Sequence, residues 1–254
     1  RAMGNLLAAG FMRLWKSRSF WVSMAVMAGV GAFEAAYCRR IGRIFGERIE
    51  LDQRYMVFAL MSGIILSAFC SLFVGSEYSD GGIRRKLAAG HTRSALYLSN
   101  LTLCVTAGLL ICLGYIAAYL AVGVPLLGFF HFALSRVLLS TLDALLMTAA
   151  LTAVFTMLSM LHQNKTVVVV TAIFLAYFLL FLGIFLQNRL SEPNLPYMGD
   201  IKRSMYQFLL TLPGCQAVRL AVMEPEWTMP ASSGGVLAAC TGLGLALFGR
   251  KDIR

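Results

Sequence analysis

"TVVVVTAIFLAYFLLFLGIFLQ", Thr166 to Gln187, decides the fold: it is 22 residues long and carries no charge. At about 1.5 Å of rise per residue, an α-helix needs about 20 apolar residues to cross a hydrocarbon layer roughly 30 Å thick. A backbone in lipid must satisfy its own hydrogen bonds, so a spanning helix is expected here. Five further segments meet the same standard: Ser19–Tyr37, Tyr55–Val74, Ala95–Val122, Phe132–Leu161 and Ser232–Gly249. Strand signals between them are few. The expected fold is an all-α, polytopic membrane protein with six transmembrane helices.

Composition agrees. Of 254 residues, 59% are hydrophobic and only 13% charged, against about a quarter charged in soluble domains. The mean hydropathy is +0.74. The net charge of +10 would suggest nucleic acid in a soluble protein. Here the basic residues flank apolar spans, which points to lipid headgroups and topology and away from nucleic acid. Of the six cysteines, Cys70, Cys104, Cys112 and Cys240 fall inside spans, where they act as small hydrophobes. No Cys/His spacing fits zinc. Cys38 and Cys215 share one side of the membrane in the orientation chosen below, which admits a disulfide.

The chain opens on Arg1, with Met3 as the expected start. "NLLAAGFMRLWKSRSF" puts its basic residues after an apolar turn, so no cleavable signal peptide is expected. Leu6, Leu7, Phe11, Leu14 and Trp15 fall on one helical face, followed by Arg13, Lys16 and Arg18. That pattern predicts an interfacial amphipathic helix over residues 1–18, ahead of a six-helix domain over 19–254. The other reading is a plain extension of the first span.

With both termini inside, the cytoplasmic segments hold twelve basic residues and the outer side ten. The rule counts Lys and Arg. The five arginines between Arg39 and Arg54 count against this choice, while the clusters "IRRK" and "GRKDIR" favour it. The long segment 188–230 is then external. Asp200 to Leu212 is expected as a short helix ended by Pro213-Gly214. Leu209, Leu210, Leu212 and Trp227 predict an ordered cap.

Between the second and third spans lies "VGSEYSDGGIRRKLAAGHTRSALYLSN", Val74 to Asn100. Ser76 to Asp80 suggests a helix start, broken or bent at Gly81-Gly82. "IRRKLAAG" reads as a short amphipathic helix. Ile83 and Leu87 share a face, Arg84, Arg85 and Lys86 point elsewhere, and Gly90 suits its C-terminus. A headgroup-contacting loop is the bland alternative.

This stretch resembles the signature of ABC-2 type permeases, the membrane subunits of ABC exporters. The matching positions are Phe73, Glu77, Tyr78, Gly81, Ile83, Lys86, Leu87, Gly90, Thr92, Arg93, Tyr97 and Ser99. The family often has Thr after the turn glycine, where this chain has Gly82. The closing "FGRKDIR", the amphipathic start and the long outer segment are similar to the family as well. The resemblance implies that residues 75–94 form a cytoplasmic coupling helix docking on an ATP-binding subunit. It implies two such ATPase subunits with ATP and Mg, and a second permease, identical or a sister chain. It also implies a place in a bacterial cytoplasmic membrane and a hydrophobic, peptide-like or lipid-like cargo.

G-x-x-x-x-G-K-[ST] is absent, so the chain is expected to bind no nucleotide or other cofactor itself. Catalytic elbows, H-E-x-x-H and paired acid–base carboxylates are absent too, so the chain is not expected to be an enzyme. His91, His131 and His162 are scattered and suggest no metal site. Asp143 near the middle of the fourth span, and Arg136 two turns earlier, are costly in lipid. They read either as a polar lining on a substrate path or as interhelical anchors. An ion-coupled transporter or channel working without ATP is the alternative function, and it would want paired intramembrane charges.

Overall fold

The computed structural model describes residues 2–46, 50–162, 164–191, 200–223 and 226–250. The basic C-terminal residues 251–254 and the proline-bearing stretch 192–199 lie outside them. Eleven helices are described in this order: α1 (Ala2–Lys16), α2 (Arg18–Phe45), α3 (Asp52–Tyr55), α4 (Val57–Ser79), α5 (Gly82–Ala88), α6 (Arg93–Leu127), α7 (Leu134–Leu161), α8 (Lys165–Ser191), α9 (Asp200–Leu210), α10 (Ala217–Ala221) and α11 (Thr228–Arg250). No strand occurs among the described residues. Six segments are long and apolar enough to cross a membrane: α2, α3–α4 together, α6, α7, α8 and α11. The chain is a multi-pass membrane protein.

α4 and α7 are mostly enclosed, while α2, α6, α8 and α11 turn most of their apolar surface outward. Outward faces rich in Leu, Val and Phe suit lipid, not water. Small residues set the helix spacing. A Cβ at Gly31 of α2 would lie 2.7 Å from the Tyr115 carbonyl oxygen of α6. One at Gly244 of α11 would collide with the Tyr97 phenol, whose Oη donates to the Cys240 carbonyl at 3.0 Å. Gly29 and Gly242, the partners of these glycines in the sequence, face open space.

Five of the six spans run past their expected apolar stretch, and α7 starts two residues inside its own. α2 carries Arg39, Arg40 and Arg43 on its last turns, so these residues are helical and not part of a loop. Ser76 to Ser79 complete α4 and do not start a new helix, and Asp80 closes α4 by donating its N–H to the Ser76 carbonyl at 2.9 Å. Once a helix is held by packing, its polar ends continue it, because every added residue gains a backbone bond.

α1 is a separate helix, divided from α2 by extended backbone at Ser17. It packs along α6 through Leu6, Gly10 and Leu14, with Phe11 beside them. Trp15 was expected on that face but is half exposed, against Phe20 and Trp21. Docking on protein uses the narrower i, i+4, i+8 stripe.

The segment between α8 and α11 does more than cap. α9 ends near the expected Pro213-Gly214, and Gly214 takes φ 96°. Residues 213–217 are buried, and α10 packs against α3, α4, α7 and α8. Gly183 of α8 makes room: a Cβ there would lie 2.7 Å from the Cys215 carbonyl oxygen. Trp227 is 87% exposed and takes no part. Cys38 and Cys215 are buried free thiols, not a disulfide. Burial pushes the Cys215 thiol up to about 11, and it lies 3.2 Å from the Leu179 carbonyl oxygen.

Gly244→Val is expected to cost about 1–3 kcal/mol of stability through overpacking against Tyr97. Gly242→Ala, facing open space, is expected to be neutral or slightly stabilising. Thermal unfolding of the two purified variants in the same detergent checks the contrast.

Candidate functional site

The connection from α4 to α6 has no slack. Gly81 takes φ 67°, a left-handed conformation that glycine adopts without the Cβ penalty. Its N–H donates to the Tyr78 carbonyl at 3.1 Å, and its own carbonyl accepts the Arg85 N–H at 3.1 Å. α5 follows at once. Ile83 is 1% exposed and turns back into the core, with Leu87 packed beside it. Gly90 takes φ 86°, and the His91 N–H reaches the Lys86 carbonyl at 3.2 Å. Thr92 caps α6, its Oγ1 accepting the Ala95 N–H at 3.3 Å.

Glu77 anchors this turn. It lies on the buried side of α4 and is only 4% exposed. Lys86 of α5 donates to its Oε1. Arg13 of α1 places Nη1 2.6 Å from its Oε2 in an ion pair. Arg13 also donates to the Phe73 carbonyl, and its guanidinium sits 4.1 Å over the Phe73 ring. A buried carboxylate is tolerable only with such partners. Gly82 belongs to the same packing: a Cβ there would lie 3.1 Å from Glu77 Cγ. The position where the resembling family often has Thr is therefore tight in this chain, not loose.

The cluster reaches neighbouring spans. Tyr78 Oη donates to the Met160 carbonyl at the end of α7 at 2.5 Å. Arg93 donates to the Gly249 carbonyl at the end of α11 at 3.1 Å. A Cβ at Gly75 would lie 2.9 Å from Lys165 Cγ at the start of α8. The outer surface of the turn is formed by Arg84, Arg85, Ala88, Ala89 and Gly90, all exposed. Arg85 donates to the Asp80 carbonyl at 2.8 Å. The arrangement is a short helix with a cationic, small-residue outer face, pinned from behind by an ion triad.

The structure therefore draws Glu77, Tyr78, Gly81, Gly82, Ile83, Lys86, Leu87, Gly90 and Arg93 into one assembly, with Arg84 and Arg85 on its surface. Sequence reasoning missed Arg13, which stands 64 residues from Glu77. An acid flanked by apolar residues and an arginine on an amphipathic helix were the available signals.

Asp143 and Arg136 are not brought together. Arg136 is exposed at the far end of the bundle, its Nε donating to the Met223 carbonyl at 2.9 Å and its guanidinium 4.9 Å over the Phe132 ring. It tethers the segment between α8 and α11 at Met223, where φ is 54°. Asp143 is half-buried and makes no hydrogen bond or ion pair among the described residues. His131 faces Glu50 at 3.6 Å, and no three His, Cys, Asp or Glu gather among the described residues.

Scanned against protein-family models and curated proteins, the chain matches neither a family nor a curated relative.

Arg13→Gln leaves Glu77 with one cation and is expected to destabilise the fold by roughly 1–3 kcal/mol, moderated by the partial exposure of Arg13. Lys86→Gln should behave alike. Because both act on one carboxylate, their effects are expected to be non-additive by about 0.5 kcal/mol or more in a double-mutant cycle of thermal unfolding.

Proposed function

We propose that this chain is the permease subunit of an ATP-driven ABC exporter. It would work as a pair, with an identical or sister permease, and with two copies of a separate ATP-binding subunit. The observation that carries the reading is the pinned turn α4–Gly81–α5–α6. A rigid helix joined without slack to two spans passes a displacement to both, whereas a slack loop absorbs it. The exposed Arg84, Arg85, Ala88 and Ala89 offer a partner a low-profile cationic face. Since the sequence carries no phosphate-cradling motif, the reading assigns ATP and its Mg to that partner. Substrate would leave through the cleft between permeases, and the resemblance gives its class as hydrophobic, peptide-like or lipid-like. The cytoplasmic placement of both termini belongs to the same reading.

One observation favours an ion-coupled carrier: the half-buried, unpaired Asp143 in the enclosed α7. It stands without an intramembrane cationic partner among the described residues.

The test is co-expression with an ATP-binding subunit encoded beside this chain. The paired substitution Arg84→Glu with Arg85→Glu is expected to abolish co-purification while the permease stays folded. Asp143→Asn is expected to leave ATP-dependent turnover within about twofold, since titrating that carboxyl is no part of the cycle. Undiminished co-purification of the Glu variant, or no association in the wild type, defeats the exporter reading. Loss of turnover in Asp143→Asn alone favours the ion-coupled one.

A further inference from the structure

At the end of the bundle opposite Glu77, a cavity of about 700 Å³ opens between the last turns of α2 and the turn joining α6 to α7. On the α2 side it is lined by Arg39 and Arg43, one helical turn apart, with Gly42 between them. On the other side stand Leu126, Leu127, Phe129 and Phe130. Neither arginine has a hydrogen bond or ion pair among the described residues. Among the described residues the one acid lining the cavity, Glu50, faces His131 at 3.6 Å.

The position decides what such a cavity meets. Arg18 and Arg39 stand near the two ends of α2, about 31 Å apart at 1.5 Å of rise per residue. That is the thickness of the hydrocarbon layer, so Arg39 and Arg43 stand at headgroup depth. The apolar wall, with the Phe129 ring 84% exposed, stands at the same level beside spans that face lipid. Two guanidiniums without partners among the described residues, next to an apolar wall, match an anionic head on acyl chains. Guanidinium forks bind phosphate oxygens bidentately, and basic pockets between spans bind anionic lipid heads. The run of arginines that counted against the chosen orientation thereby gains a use. This holds whichever side of the membrane the cavity faces and does not rest on the exporter reading.

We propose that the Arg39–Arg43 cavity binds the phosphate headgroup of an anionic membrane lipid, with the Leu126–Phe130 wall against its chains. The test uses the full chain in neutral detergent, with native mass spectrometry and thermal unfolding. Phosphatidylglycerol is added in one arm, phosphatidylcholine in a second and inorganic phosphate in a third. The wild type is expected to retain phosphatidylglycerol and to unfold at higher temperature with it, and to do neither with phosphatidylcholine. Arg39→Gln with Arg43→Gln is expected to weaken retention roughly thirtyfold, about fivefold per arginine. Neither side chain holds a bond among the described residues, so the variant should fold. Arg40→Gln, on the neighbouring exposed arginine outside the cavity lining, is expected to retain lipid as the wild type does. Equal retention of phosphatidylcholine, or a double Gln variant that binds phosphatidylglycerol undiminished, overturns the proposal. So does an equal loss in Arg40→Gln, or a matching thermal shift from inorganic phosphate alone, which would make the ligand a soluble anion.

Discussion

A carboxylate at the enclosed end of a membrane helix has to be neutralised, and Glu77 recruits both of its cations from outside its own helix. Lys86 comes from α5 and Arg13 from α1. The desolvation cost of Glu77 is offset only when both short helices are seated. Seating them fixes the path of the chain: α1 lies back along α6, and α5 turns Ile83 into the core. The same constraint explains why Gly81 and Gly82 are glycine, one for its left-handed backbone and the other for the space that Glu77 fills. Neutral pairs would leave these helices as surface attachments.

The opposite end is held differently. Asp52, 3% exposed, accepts the N–H groups of His131 and Phe132 at 2.7 and 2.9 Å, fixing the approach to α7. Tyr119 donates to the Leu51 carbonyl at 2.7 Å, and Tyr115 to that of Arg54 at 3.3 Å. α10 is wedged between spans, with Gln216 Nε2 donating to Ser233 Oγ at 2.6 Å. One end is thus held by hydrogen bonds to Asp52 and to backbone carbonyls, with the Arg54–Glu34 pair at its surface. The other is an ion triad carrying an exposed cationic helix. The two ends are held by different chemistry, and the exposed cations of α5 lie at the Glu77 end.

Six spans were legible because a run such as Thr166–Gln187 has one solution in lipid. The short helix at Ile83–Leu87 was legible because its glycines bracket it. The span ends were not, since Arg39 to Phe45 and Ser76 to Ser79 are polar enough to resemble loops until packing holds them. The Arg13–Glu77 pair was not, because contact between residues 64 apart leaves no periodic trace. The wedge at Pro213–Ala217 was read as a cap, since its burial depends on Gly183 in another helix. That Asp143 has no partner among the described residues likewise depends on which neighbours pack beside α7.

The most direct measurement of whether Glu77 holds α1 and α5 as one unit is amide hydrogen exchange on the chain in nanodiscs, wild type against Glu77→Gln. Removing the carboxylate charge is expected to speed exchange in residues 82–90 and, together with it, in the Met12–Lys16 turn of α1, while α7 and α8 stay protected. Unchanged exchange in residues 82–90, or faster exchange there with α1 unaffected, would contradict the assignment of Glu77 as the joint between them.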